Sequence, residues 1–306
     1  MVAKTAALAF VAACGRPANQ RFPFGNPVSV ENTHLSQLAS CPYFIADKSD
    51  GVRTCMVMCR AGTMFCSVLL DRSGNAYGLP VTADALFFEG TVVDAEVVVT
   101  STGTFRILAF DTCCIAGNKE VEYMPLSARL DLMGTSLVHV EVMAAPLTVK
   151  RMFALGDVDA AADLAAYVAG LEYATDGYIL TPEGEPTCQP GTAAQIFKVK
   201  ECHTMDFLWS GNMLWYGDHK DLFPISGLQL AFQASQLAHV SNGTIVEMSP
   251  QQAKDGKVVM LHFAQSRPDK DTPNAYMTVT RTLQSILDAL TLQAIQAAVT
   301  LPPLRS

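Results

Sequence analysis

Tyr43 to Met58 reads Y-F-I-A-D-K-S-D-G-V-R-T-C-M-V-M, and the interpretation of this stretch decides that of the rest of the chain. Tyr43, Phe44 and Ile45 have the texture of a strand. The polar corner Lys48-Ser49-Asp50-Gly51 interrupts it, and Val52, Cys55 and Val57 begin a second strand. Asp-Gly between two apolar runs is a common hairpin signal, so a plain turn is one reading. A lysine just before that Asp-Gly, with Arg53 just after it, admits another. An amine is nucleophilic only when unprotonated, and neighbouring cations or partial burial favour that form. Lys48 is therefore a candidate nucleophile.

The surrounding chain limits what such a nucleophile could do. Its 306 residues suit two domains. Half of the residues are hydrophobic and 16% are charged, which permits a sizeable core. The net charge of −8 argues against coating nucleic acid along its length, because that requires many neutralised phosphates. An enzyme that handles a nucleotide or a chain end remains compatible. Nine cysteines contain no C-x-x-C pair, so the expectation is reduced, mostly buried thiols in an intracellular protein, without a zinc site or disulfide scaffold. Lys4 followed by T-A-A-L-A-F-V-A-A-C resembles a short secretory signal ending in a lipoprotein-type cysteine. The run is short for that purpose and far too short to span a bilayer, so a buried N-terminal helix or strand is expected, and no membrane partner.

Along the chain, Thr33 to Ala39 can start a short helix after a turn-rich segment. Val52 to Val81 breaks into short apolar runs with tight turns, as antiparallel strands do, and Leu86 to Thr100 and Thr104 to Ile115 continue them. Helical spacing is predicted over Tyr123 to Leu137 and Val158 to Tyr173, with strands returning at Gly177 to Leu180 and Ala194 to Lys200. Many short strands after Thr204 suit a small β-barrel, and Leu283 to Val299 reads as one closing amphipathic helix. No G-x-x-x-x-G-K-[ST] phosphate loop and no G-x-G-x-x-G fingerprint is present.

Several charged clusters follow Lys48. F-E-G-T-V-V-D-A-E-V, from Phe88, sets Asp94 and Glu96 two apart on one strand face. Paired carboxylates there are costly to bury unless a cation or metal meets them. F-R-I-L-A-F-D places Phe110 either in the core or against a purine. T-D-G-Y-I, from Thr175, reads as a plain turn by itself. F-K-V-K puts Lys198 and Lys200 on one face, followed by M-D-F with Asp206. S-R-P-D-K-D-T-P-N, from Ser266, is a dense charged loop.

In this order the clusters resemble the collinear motifs of the mRNA capping guanylyltransferases, members of the covalent nucleotidyltransferase superfamily. The match runs from Pro23 to about Leu290 and is similar in layout to the single-function enzymes of large DNA viruses. The resemblance implies an α+β fold: a nucleotidyltransferase domain over residues 1–203, with antiparallel sheets and flanking helices, and a C-terminal OB-fold barrel over 204–285. The helix at about 286–300 would pack back on the first domain. It implies that Lys48 attacks GTP to form lysyl-GMP, which passes to the 5′-diphosphate end of nascent RNA. Lys198, Lys200 and Asp206 would assist catalysis. Asp50, Gly51, Arg53, Arg72, Glu96, Phe110, Lys150, Asp176, Ile179, Arg267, Asp269 and Lys270 would bind the nucleotide, Lys150 at the guanine edge. Asp94, Glu96 and Asp206 would hold magnesium or manganese. A separate RNA triphosphatase and cap methyltransferase would complete the cap, in the nucleus, or in the cytoplasm if the source is a cytoplasmic virus. Ala95 stands where the family has glycine between the two carboxylates. An ATP-dependent polynucleotide ligase is the alternative enzyme, and a catalytically silent nucleic-acid-binding protein is the alternative that is not one.

Overall fold

The structure, a computed structural model, describes residues 2–13, 22–143, 145–157, 159–184, 191–200, 203–218, 220–252, 258–288 and 290–300. Cys14, Cys188, Cys202 and Val158 lie outside the described residues. Two compact units emerge: Met1–Val28 with Leu35–Val199 and Ile295–Ser306, and Ser29–His34 with Lys200–Ala294.

The first unit begins with helix α1 (Val2–Ala13). Strands β1 (Gly25–Ser29), β2 (Tyr43–Ser49), β3 (Val52–Ala61), β4 (Met64–Asp71), β5 (Ala76–Gly78) and β6 (Val81–Thr82) follow, with helix α2 (Leu35–Ser40) after β1. Next come β7 (Thr91–Val99), β8 (Phe105–Cys114), α3 (Leu126–Ser136), β9 (Glu141–Val142), β10 (Leu147–Val149) and β11 (Phe153–Ala154). Helix α4 (Ala160–Ala169), β12 (Thr175–Pro182) and β13 (Gly191–Val199) complete it. One sheet has the order β1-β13-β12-β2-β11, a second β10-β8-β7-β3-β4-β5, and β6 pairs with β9 alone.

Asp50-Gly51 is not the turn of a hairpin. β2 pairs with β12 and β11, whereas β3 pairs with β4 and β7, so the chain steps from one sheet into the other at this corner. A glycine is required there because a Cβ on Gly51 would stand 2.4 Å from the Val97 carbonyl oxygen.

The second sheet is buried on both faces, and the two-residue period of a strand sorts its side chains. Cys55, Val57 and Cys59 join Ala7 and Val11 of α1, while Met56 and Met58 join Met133 of α3. That is why β3 reads as an unbroken apolar run instead of an alternating one. The N-terminal apolar segment is thus a helix packed on this core, and the described cysteines are free thiols, five of the six buried.

Several expected boundaries move. A 3-10 turn (Glu120–Tyr123) precedes α3, and another (Ala85–Glu89), capped by Asp84, precedes β7, so neither element starts where apolar residues start. α4 is shorter than its apolar spacing because Gly170 caps it.

In the second unit, β14 (Met205–Ser210), β15 (Met213–Gly217), β16 (Leu222–Pro224), β17 (Leu230–Phe232), β18 (Thr244–Gln252) and β19 (Val259–Ser266) form one sheet. Its order is β16-β15-β14-β18-β19-β17. Among the described residues no ladder joins β16 to β17, so the sheet is an open half-barrel rather than the closed five-stranded OB barrel that was expected. The expected single helix is two, α5 (Tyr276–Asp288) and α6 (Leu292–Thr300). Val279, Leu283 and Ile286 of α5, at spacings of four and three, enter the sheet's core with Phe207, Trp209 and Val246.

Candidate active site

A pocket within the first unit is lined from both of its large sheets. Ala46, Asp47, Lys48 and Ser49 come from β2, Ile179 and Thr181 from β12, and Ile196 from β13. Arg53 of β3, Asp94 and Glu96 of β7 and Phe110 and Asp111 of β8 face them, with Gly25, Pro27, Arg72, Lys150 and Met152 at the margins.

Lys48 is half-buried and donates to Oδ1 of Asp176 at 2.5 Å. Asp176 reaches it because β12 is irregular here: its register against β2 shifts between Thr175 and Tyr178, and Gly177 at φ 131 supplies the distortion. The T-D-G-Y segment is therefore a strand bulge, not a turn.

Two buried carboxylates face each other across β7 and β8, Asp94 opposite Asp111. Like charges in that position repel, and each is met by a guanidinium. Arg53 holds Asp94 through Nε at 3.0 Å and Nη2 at 2.5 Å, and donates Nη1 to the Gly25 carbonyl. Arg129 of α3, fully buried, holds Asp111 through Nε at 2.7 Å and Nη2 at 3.1 Å. Burial pushes the Asp94 carboxyl up to about 6 against the pull of Arg53, and Asp111 adds to the rise. Burial also raises Glu96, with Lys150, Arg53 and Lys48 opposing it. The Arg53 guanidinium moves upward: burial works against its charge, but Asp94 more than offsets this.

Lys150 arrives through β10, which runs parallel to β8 with Val149 opposite Ala109, so the next residue stands beside Phe110. Its Nζ donates to the Asp47 carbonyl at 2.6 Å and the Ser49 hydroxyl at 2.9 Å, and lies 3.0 Å from the Asp47 carboxylate. Burial lowers its pKa and Asp47 opposes the shift. The Arg53 guanidinium lies 5.6 Å and the Lys150 ammonium 6.0 Å from the centre of the Phe110 ring.

Of the residues expected at a site, Lys48, Arg53, Arg72, Asp94, Glu96, Phe110, Lys150 and Ile179 line this one pocket. Asp176 joins through Lys48. Asp50 and Gly51 are exposed at the corner between the sheets and do not line it. On β13 it is Ile196, two residues before Lys198, that lines the pocket; Lys200 belongs to the second unit. Of the three carboxylates expected to hold a metal, Asp94 and Glu96 line the pocket, with Asp94 engaged by Arg53, and Asp206 belongs to the second unit. Among the described residues no three His, Cys, Asp or Glu side chains gather as a metal site.

In that second unit, Asp206 accepts from Arg267 Nη1 at 3.2 Å and is paired with Lys270, while Asn274 donates its backbone N–H to the Asp206 carbonyl. Arg267 holds Asp269 through two further hydrogen bonds, which keep the Asp269 carboxyl down at about 2. Asp206, Arg267, Asp269, Lys270 and Asn274 are thus assembled locally from segments more than sixty residues apart.

Asp47, Asp111, Arg129, Met152 and Thr181 were not anticipated. Arg129 had a signal: it interrupts the apolar stripe Leu126, Leu130, Met133, where a lone cation needs a buried partner. Asp47 had none, because an acidic residue in a polar corner looks solvated.

The description "mRNA capping enzyme, catalytic domain" matches residues 4–202. An mRNA-capping enzyme subunit alpha from Neurospora crassa is 27% identical over 216 residues, covering 61% of this chain and 53% of that protein. The chain therefore spans about half the length of that curated relative. Among solved structures, a mycobacterial DNA ligase D complexed with ATP and MES has a TM-score of 0.47 at 16% identity, covering 82% of this chain and 96% of the other. The bacteriophage T7 ATP-dependent DNA ligase complexed with ATP has a TM-score of 0.40 at 13% identity, covering 80% and 98%. Neither likeness is large enough to add to the assignment. No helix among the described residues is long and apolar enough to cross a membrane. With Lys48, the paired carboxylates Asp94 and Glu96 and the Phe110 ring lining one pocket inside the matched region, the chain belongs to the mRNA capping enzyme catalytic domain family.

Proposed function

We propose that this protein is a guanylyltransferase that caps the 5′ end of RNA. The observation that carries the reading is that Lys48 lines the same pocket as Phe110, Ile179, Arg53, Arg72 and Glu96. A purine fits between the ring of Phe110 and the side chain of Ile179, with the ribose toward Arg53 and Glu96 and the phosphates toward Lys48 and Arg72. The lone pair of Lys48 Nζ attacks the α-phosphorus of GTP, the bond to the leaving pyrophosphate breaks, and lysyl-GMP forms. The Asp176 carboxylate, already hydrogen-bonded to that amine, orients it. In the second step a β-phosphate oxygen of 5′-diphosphate RNA attacks the same phosphorus, and lysine is released.

The donor chemistry bears on a divalent ion. Magnesium takes hard oxygen ligands and is commonly held by one or two carboxylates plus substrate phosphates. Glu96 fits that role, since it lines the pocket, whereas Asp94 there is already held by Arg53. When bound, such an ion neutralises charge on the phosphate oxygens. Lys198, Lys200 and the Arg267, Asp269, Lys270 group are proposed to serve the phosphates too, and Asp206 to orient that group.

The test is incubation with GTP labelled at the α-phosphate. A covalent adduct mapping to Lys48, lost in Lys48→Ala, is expected. An adduct on another lysine would refute the assignment of the nucleophile, and preferential labelling by ATP would make the protein a ligase-type adenylyltransferase.

A further inference from the structure

The ladder between β7 and β8 loses step at Phe110. Asp94 stands opposite Asp111 and Ala95 opposite Ala109, so Phe110 is an extra residue with no partner in register, a β-bulge. Side chains of a regular strand alternate between faces, which would send Phe110 and Asp111 opposite ways. Here both line the pocket, while Ala109 packs with Met56 and Met133 in the core on the other face. On the outer edge of β8, the parallel ladder with β10 ends at Ala109. The bulge sits where backbone pairing holds it least.

Arg129 grips it instead. This side chain of α3 is fully buried and does not line the pocket. It donates to both carboxylate oxygens of Asp111, at 2.7 and 3.1 Å, and through Nη1 to the Met124 carbonyl at 2.5 Å. Asp111 Oδ1 also accepts the Thr112 backbone N–H at 2.7 Å. For stability alone this is a poor arrangement. Asp111 opposes another carboxylate, Asp94, and apolar side chains of similar volume commonly match or exceed a buried ion pair. What a bidentate guanidinium supplies is a fixed direction.

We propose that Arg129 is a positioning residue for the wall on which the purine stacks. By clamping Asp111, it holds the β8 bulge in the geometry that presents the Phe110 ring to the pocket. A slip of one residue would flip that ring to the face of Ala109. Arg129 thus acts on nucleotide binding through Phe110 without touching the nucleotide. It affects GTP and ATP alike, because stacking reads no base edge.

The inference rests on the reading that this pocket binds GTP, and the two can fail separately. Adduct formation is measured over a range of GTP and ATP concentrations, beside thermal melts, for the wild type, Arg129→Lys, Phe110→Ala and the double variant. Arg129→Lys keeps the charge and gives up the fork. It is expected to raise KM by about fivefold or more for both nucleotides, with kcat changed far less. In the Phe110→Ala background the same substitution should leave KM within about twofold, because the ring it aims is gone. An unchanged KM with a lowered melting temperature would make Arg129 a structural strut and overturn the inference. So would full additivity with Phe110→Ala, or a loss confined to kcat; the proposed function would stand in each case. Should Arg129→Lys fail to fold, Arg129→Met combined with Asp111→Leu replaces the ion pair by apolar side chains. A KM rise that again vanishes without Phe110 is then expected, and a wild-type KM overturns the inference. No labelling of the wild type by any nucleotide would refute the proposed function and the inference with it.

Discussion

At the scale of single residues, the pocket depends on how buried charges are matched. Phe110 has two cations within about 6 Å of its ring centre, and among the described residues it is the only aromatic lining the pocket. Phe110→Ala should weaken GTP binding by about 1–3 kcal/mol, the usual contribution of base–aromatic stacking, as read by nucleotide titration. Asp94 gives a pH test. Its folded value, about 6, lies above its ordinary 3.8, so the folded state takes up a proton between those values that the unfolded chain does not. Its contribution to stability is therefore greatest below about pH 4 and falls as pH rises through about 6. Denaturant melts between pH 4 and 8 should show the wild type gaining on Asp94→Asn as the medium is acidified. The opposite slope would mean that Arg53 keeps Asp94 ionised to lower pH.

At the scale of elements, the corner between β2 and β3 carries the design. Gly51 is needed for close approach: a Cβ there would stand 2.4 Å from Val97 O, a backbone atom that cannot swing aside, and 2.9 Å from a methyl of Val98. Gly51→Ala should push the corner away from β7, shift Lys48 and Arg53 relative to each other, and destabilise the unit by about 1–3 kcal/mol. A thermal melt and the rate of adduct formation check this, and a variant matching wild type in both would show the corner to be compliant. Gly90 plays the same part under α1, where a Cβ would fall 1.8 Å from the Phe10 ring, but that neighbour is a side chain.

At the scale of the whole molecule, the residues proposed to serve the reaction are divided between two units. Lys48 and its pocket belong to the first, and Arg267, Asp269 and Lys270 to the second, where Asp206 holds both cations. If those cations stabilise the leaving pyrophosphate, they matter for attack on GTP and much less for transfer to RNA, from which pyrophosphate is absent. Arg267→Ala and Lys270→Ala should therefore nearly abolish adduct formation while a preformed adduct still passes GMP to diphosphate-ended RNA. The two half-reactions, followed separately, check this, and equal loss in both would exclude a role centred on pyrophosphate.

Much of this was already present in the order of residues. Lys48, Arg53, Asp94, Glu96, Phe110 and Ile179 could be grouped from the order of their motifs, and they line one pocket, while the short apolar runs broken by turns pointed to the antiparallel strands β3, β4, β7 and β8. Other features were decided by tertiary structure, each for a physical reason. Asp-Gly suits a hairpin as well as a step between sheets, and only strand pairing distinguishes them. Sheet closure depends on whether the edge strands meet, which no local pattern encodes, so a closed barrel was expected where, among the described residues, no ladder joins the edges. Asp94 was expected to hold a metal, and that the Arg53 guanidinium engages both of its oxygens could be read only from the folded chain. Asp47 and Lys150 are 103 residues apart in the chain, and only the parallel pairing of β10 with β8 brings that ammonium to the strand of the nucleophile.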